Sequence, residues 1–280
     1  AEAGGLGPGT REYLALPLHH ASGLLRARAV ISAGGACYLP EEPDPDEIAR
    51  MIATGEVDAL AATPAFWRRL LAAGGATRQA LAGLLSADAG GAYLSPAEKR
   101  ALREAMPEAR ILHRYGTADA PATAFQRIDL ANDADLAATG RPGEGVALRI
   151  GPGGGIETRG PHVALAVRGD GAWQPLGPDA WVATGDAGAL DGDRLFWQGR
   201  SADLVMREGV TLSPDLLEAR LRDAVPVSGP FAILARRDIV HGDGLVLVLA
   251  PGAEPVRDRL LDALAAETRA AGLHPTAPDT

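Results

Sequence analysis

The run Trp181-Val-Ala-Thr-Gly-Asp186 is followed by Asp191-Gly-Asp193, by Trp197-Gln-Gly-Arg200, and by Asp203 and Gly209. It sets carboxylates and a guanidinium around a short hairpin at fixed spacing. A carboxylate accepts two hydroxyl protons, and a guanidinium donates a planar fork to oxygen. Asp186 with Arg200 therefore suits a sugar diol beside a phosphate. The same two residues also suit a structural ion pair, and Asp191-Gly-Asp193 has the composition of a hairpin turn. Trp181 and Trp197 read as core of the same β region.

The 280 residues can bury one large domain and a smaller one. With 27 basic against 36 acidic side chains the net charge is −9, which argues against a general nucleic-acid binder. Cys37 stands alone, so no internal disulfide forms, and the expected compartment is reducing and cytoplasmic. No apolar run reaches the ~18 residues that span a bilayer. The opening Ala1-Glu-Ala-Gly-Gly5 lacks a charged stretch leading into an apolar one, so it does not read as a signal peptide. His113, His162, His241 and His274 show no metal-ligand spacing.

Strands are expected at Arg11–Leu18, Ala36–Leu39, Val57–Ala61 and Arg110–Arg114. Helices are expected at Ser22–Ile31, Pro45–Thr54 and Pro64–Ala73. Ser95-Pro-Ala-Glu98 carries a cap, a first-turn proline and a capping-box acid for a helix to about Ala105. Strand alternating with helix predicts an α/β fold with a mainly parallel sheet and crossover helices. Residues 110–114 then deliver Tyr115-Gly116 to the sheet edge where ligands of open α/β sheets bind. From Gly140, glycine-punctuated strands such as 146–150 and 163–167 predict a small β subdomain, with Gly151-Pro-Gly-Gly-Gly155 as a hairpin turn. A small α+β C-terminal domain follows, with helices at 213–224 and 257–271 and strands at 231–235 and 245–249. The expected divisions are 1–139, 140–199 and 200–280.

Six stations in order, from Pro17 to Gly209, resemble the adenylate-forming superfamily of acyl-CoA synthetases and adenylation domains. They are Pro17-Leu-His-His20, Ala89-Gly90-Gly91-Ala92-Tyr-Leu-Ser95, Tyr115-Gly116-Thr117-Ala118-Asp119, Gly140-Arg-Pro142, Arg159-Gly-Pro161, and the Thr184-to-Gly209 run. The resemblance implies that a carboxylate attacks the α-phosphate of ATP, giving an acyl-adenylate, and that coenzyme A or a carrier-protein pantetheine then takes the acyl group. It implies that Gly90, Gly91 and Ala92 line the adenine pocket, that Tyr115 stacks on adenine, and that Gly116 and Thr117 belong to the same nucleotide loop. Asp186 would hold the ribose hydroxyls, and Arg200 would contact ribose or phosphate with a catalytic role. Asp119 would act in catalysis near Mg²⁺, His20 and Gly23 would border the acyl pocket, and Ala202 would sit at the interdomain hinge. The implied partners are a small carboxylic acid, ATP and CoA.

Several positions depart from that pattern. Ala118 replaces a threonine, Asp119 a glutamate, and Tyr93 a proline. Neither the phosphate loop ending in lysine nor a C-terminal Gly-Lys is present. Lys99 is the only lysine, and on a capped surface helix it is not expected to stand in. The expectation is a chain incomplete at both ends and inactive alone. The rival readings are a non-catalytic nucleotide- or acyl-binding protein and an amino-acid adenylation domain. Leu24, Gly90 and Ala92 suggest an apolar, unhindered acyl pocket.

Overall fold

The computed structural model describes residues 5–169, 171–207, 209–236 and 244–273. His241, His274, Asp170, the opening residues 1–4 and the tail from Pro275 lie outside them. By internal contacts the chain forms two compact units. One holds residues 1–151, 156–184 and 190–196, and the other 152–155, 185–189 and 197–280.

The first unit is built on a seven-stranded sheet: β1 (Arg11–Ala15), β2 (Ala36–Tyr38), β3 (Ala59–Ala62), β4 (Ser86–Gly90), β5 (Arg110–Tyr115), β6 (Ala124–Arg127) and β7 (Arg141–Pro142). Its order is β2-β1-β3-β4-β5-β6-β7. The first five strands pair parallel, and β6 and β7 add antiparallel. The crossovers are α1 (Ala21–Ser32), α2 (Pro45–Ala53), α3 (Pro64–Ala72) with α4 (Gly75–Ala80), and α5 (Pro96–Ala105); α6 (Asp133–Leu136) is a single turn before β7. The parallel sheet with crossover helices matches the fold class read from the sequence.

The remaining strands form small antiparallel sheets. β8 (Ala147–Ile150) and β9 (Gly155–Arg159) make a hairpin across the predicted Gly151–Gly155 turn. They share a four-stranded sheet with β12 (Val182–Asp191) and β13 (Arg194–Arg200), while β10 (Ala166–Gly169) pairs with β11 (Ala172–Pro175). The strand predicted over 163–167 therefore begins later. Gly160 adopts φ +146° and Val163 N–H donates to the Gly160 carbonyl, so a turn takes its first residues. The second unit holds β14 (Val205–Arg207) with β15 (Val210–Leu212), then α7 (Pro214–Ala224), the hairpin of β16 (Phe231–Arg236) and β17 (Gly244–Leu249), and α8 (Arg257–Ala270). Val205, Leu217, Ile233, Leu247 and Leu260 are among its core residues.

Period-2 alternation along β1 assigns its two faces. Tyr13 and Ala15 join Ile48, Trp67, Leu102 and Ile111 under α2, α3 and α5. Leu14 and Leu16 join Ala27 and Ala61 under α1. The capping box on α5 is formed as predicted, with Ser95 Oγ accepting from Glu98 N–H and the Glu98 carboxylate accepting from Ser95 N–H. β1 stops at Ala15, short of the predicted Leu18. Pro17 has no N–H for the sheet, and its carbonyl accepts from His20 N–H to turn the chain into α1.

Gly23 makes that turn possible. A Cβ there would overlap the Pro17 carbonyl oxygen, lying 2.7 Å from the Pro17 carbonyl carbon and 2.9 Å from the Leu16 oxygen, and backbone cannot swing away as a side chain would. Gly23→Ala should therefore cost about 1–3 kcal/mol through overpacking. A urea-unfolding midpoint indistinguishable from wild type would show that the turn yields.

Candidate functional site

A parallel sheet ordered 2-1-3-4-5 reverses its winding between β1 and β3, and ligands of such sheets bind outside the carboxyl ends of the strands near that point. The chain leaves those ends as Leu16–His20 after β1, Gly91–Ser95 after β4 and Gly116–Asp119 after β5. One edge of the first unit therefore gathers His20, Gly23, Gly90, Gly91, Ala92, Tyr115, Gly116, Thr117 and Asp119.

Local chemistry shapes each loop. Gly91 takes φ +90°, a left-handed conformation that favours glycine, and no atom lies within 4 Å of its missing Cβ. Gly116 is confined instead: a Cβ would come within 2.6 Å of Ala122 N and 2.9 Å of the Ala120 oxygen. Thr117 closes this loop, its N–H donating to the Ala120 carbonyl (3.1 Å) and its Oγ1 accepting from Ala120 N–H (3.3 Å). Tyr115 is half-buried at the end of β5, and its carbonyl accepts from Thr123 N–H. Asp119 is exposed, and its backbone oxygen accepts from Ala164 N–H at 2.8 Å. His20 is exposed at the N-cap of α1, its ring 4.6 Å from that of His19.

The second unit carries the other group. Asp186 is 4% exposed on β12, and Arg200 Nε on β13 lies 3.3 Å from its Oδ1. Gly185 at φ +77° lets its carbonyl accept from Ser201 N–H at 3.0 Å. Asp203 N–H then donates to the Arg200 carbonyl, closing an exposed turn that holds Ala202. Asp215, in the first turn of α7, has its pKa raised by burial and then by the like charge of Asp203, against the pull of Arg222 and Arg200. Asp186 and Arg200 are thus brought together. The Gly192–Asp193 turn joins their strands as predicted. Trp181 and Trp197 are both half-buried and outside the core clusters. Trp181 instead lies against the guanidiniums of Arg149 (4.2 Å) and Arg159 (5.0 Å).

Four charged residues outside the six motifs lie on one face of the first unit's sheet and on the helix that covers it. Glu12 on β1, Arg26 on α1, Asp88 on β4 and Arg114 on β5 form one network. Arg26 donates to Glu12 (2.5–3.0 Å) and Asp88 (3.2 Å), and Arg114 donates to both Asp88 oxygens (2.7–2.9 Å). Glu12 and Asp88 are fully buried, and burial raises the Glu12 pKa although Arg26 opposes it. The signal in the sequence was Arg26, a charged residue among the apolar positions of Leu24–Val30; Glu12 follows Arg11 and interrupts no apolar run. Of the residues expected to make the acyl pocket apolar and unhindered, Leu24 is exposed and Gly90 lies beside Arg114, where a Cβ would sit 3.5 Å from Arg114 Cβ and 3.9 Å from its Nη2.

Lys99 does not lie on the surface as expected. Its helix is capped as expected, yet the side chain is buried, with Nζ donating to the Leu136 (3.0 Å) and Ala138 (2.7 Å) carbonyls. It clamps α5 to the segment entering β7. Nearby His113 is buried, its pKa pushed down to about 3 first by burial and then by Lys99.

The family model described as AMP-binding enzyme matches residues 1–171. Indoleacetate–CoA ligase of Aromatoleum aromaticum is 31% identical over 122 residues, 43% of this chain and 23% of that protein. Two solved structures align over nearly the whole chain. An amide bond synthetase from Marinactinospora thermotolerans has a TM-score of 0.78 at 24% identity, covering 98% of this chain and 57% of its own. An o-succinylbenzoate CoA synthetase from Bacillus subtilis, in complex with its acyl-adenylate intermediate, has a TM-score of 0.79 at 21% identity, covering 95% and 56%. The chain therefore spans little more than half the length of these structures and under a quarter of the ligase. At such identities the structural likeness shows the shared fold.

The buried lysine has a measurable consequence. Burial lowers the Lys99 pKa from 10.5 to about 7, with only Glu98 opposing. Between those values the unfolded chain binds the proton and the folded chain releases it, so folding stability rises with pH through that window and the contribution is absent below it. The stability difference between wild type and Lys99→Met should grow in favour of wild type from pH 7 to pH 10, by on the order of 1 kcal/mol or more. Parallel denaturation curves at both pH values, with a constant difference, would refute the assignment.

Proposed function

The chain belongs to the AMP-binding enzyme family, and from that membership we propose that it forms part of an ATP-dependent ligase activating a carboxylic acid as its acyl-adenylate. The observation that carries the reading is the placement of the β4 and β5 loops. Gly91-Ala92 and Gly116–Asp119 leave adjacent parallel strands at one sheet edge, where ligands of such sheets bind.

In this reading Gly90, Gly91 and Ala92 line one side of the adenine, Tyr115 stacks on it, and Gly116 and Thr117 hold the loop against it. Open space around Gly91 suits close approach of a ligand to backbone. Asp186 accepts the ribose hydroxyl protons, and the half-exposed Arg200 donates to ribose or phosphate oxygen. An oxygen of the acid attacks the α-phosphorus, the bond to the bridging oxygen breaks, and pyrophosphate leaves. A preorganised guanidinium beside the charge that develops is the contribution Arg200 makes to this step.

Mg²⁺ fits only one mode here. Among the described residues no cluster of three His, Cys, Asp or Glu could hold a metal by itself. Asp119 offers one hard oxygen, which suits an ion that arrives on the triphosphate and keeps phosphate and water ligands. When bound, the ion neutralises charge on the phosphates. His20 borders the acyl group, while Ala202 lies in the turn at which the following residues would pivot. The second step is transfer to a thiol, coenzyme A or a carrier pantetheine, or to another nucleophile. The divisions after residues 139 and 199 belong to the same proposal. Among the described residues no helix is long and apolar enough to cross a membrane.

Ala118 and the exposed Asp119 favour a second reading, a nucleotide-binding member without catalysis, because the loop offers no hydroxyl beside its carboxylate. Carboxylate-dependent exchange of labelled pyrophosphate into ATP by the intact protein separates the two. Exchange is expected with a subset of acids, and Asp186→Ala should reduce it about 100-fold or more, since the variant loses charged hydrogen bonds in a buried position. AMP binding without exchange across a broad acid panel would establish the second reading. Near-normal exchange in Asp186→Ala would remove Asp186 from the site.

A further inference from the structure

The residues proposed for the acyl group, His20 and Gly23, open helix α1, and the network of Glu12, Arg26, Asp88 and Arg114 lies directly beneath that helix. Arg26 is one turn beyond Gly23 on α1. Arg114 is the residue before Tyr115, on the face of the sheet that α1 covers. The floor of the region therefore includes charged groups beside the apolar Leu14, Leu16 and Ala61. An acyl chain that broke one of these buried, hydrogen-bonded ion pairs would leave a charge uncompensated, which is strongly unfavourable.

The four members differ in access. The side chains of Glu12, Asp88 and Arg26 are 0%, 1% and 4% exposed, whereas that of Arg114 is 15% exposed. Arg114 uses Nε and Nη2 on Asp88, and its Nη1 has no partner among the described residues. A guanidinium presents five N–H donors in a fixed fork, so Arg114 keeps donors to spare while Asp88 holds its plane. Asp88 is itself held from the other side by Arg26, which makes the fork a preorganised one.

We infer that Arg114 determines the acid's identity: the substrate is a short acid carrying a second oxygen acceptor, a carboxylate or carbonyl, besides the carboxylate that is activated. The inference deepens the adenylation reading and rests on it for the location of the acyl group. Its chemistry is recognition of an acceptor by a held guanidinium.

The test is direct binding by calorimetry to the intact protein, with AMP present, of succinate, 4-oxopentanoate, butanoate and decanoate. Succinate and 4-oxopentanoate should bind about tenfold or more tighter than butanoate, the scale of a charge-assisted hydrogen bond. Decanoate should not bind. Arg114→Met should erase the preference for succinate over butanoate. The double change Asp88→Leu with Arg114→Leu removes both charges together and keeps the question open should the single variant misfold. It too should lose the preference and gain affinity for butanoate. Equal binding of butanoate and succinate, binding of decanoate by wild type, a preference that survives in folded variants, or no binding of any acid would each overturn the inference. Selective succinate binding with no pyrophosphate exchange would sink the adenylation reading alone.

Discussion

Burying a carboxylate is costly unless its charge and lone pairs are matched, and the first unit buries two of them on one face of its sheet. Asp88, in the middle of β4, is gripped by Arg26 from α1 and by Arg114 from the neighbouring strand, and Arg26 also closes on Glu12 in β1. Three strands and the helix crossing them are thereby tied by directional contacts where a purely apolar layer would tolerate sliding. The loops at the carboxyl edge inherit that order. The turn ending in His20 is set by where α1 must sit to place Arg26, and Tyr115 follows the residue that completes the network.

The opposite face works differently. There Trp67, Leu60, Ile111 and Leu102 pack as an apolar layer under α2, α3 and α5, with the Trp67 indole donating to the Asp88 carbonyl at 3.1 Å. Lys99, His113 and Gln126 are among its polar exceptions. Lys99 satisfies the Leu136 and Ala138 carbonyls ahead of β7, so a side chain often spent on solubility serves here as backbone hydrogen-bond donor. A neutral His113 beside it limits the charge held in that layer. The second unit follows the more familiar economy of an apolar core, with Asp186, Arg200 and Asp215 outside it.

Much was legible in the residues alone because its causes are local. Alternating strands and helices through Tyr115, the capping box of α5 and the turns at 151–155 and 192–193 follow from hydrophobic period, side-chain oxygens near free N–H groups, and glycine's access to positive φ. The pairing of Asp186 with Arg200 was readable too, since one hairpin turn separates their strands. The order of motifs sufficed to place the chain in its family, which the match over residues 1–171 shows independently.

What only the tertiary structure decided were the partners of charges far apart in sequence. β4 reads Ser-Ala-Asp-Ala-Gly, with no β-branched or aromatic residue, and is a strand because β3 and β5 hydrogen-bond it on both sides. Arg26 and Asp88, 62 positions apart, find each other only once the sheet is assembled, and Lys99 reaches carbonyls 37 and 39 residues away. Periodicity assigns a residue to a face but cannot say which opposite charge that face will bring to it. So Lys99 reads as a surface lysine until the fold supplies its neighbours. Long-range electrostatic pairing is a property of the assembled sheet, and the burial that makes it decisive exists only there.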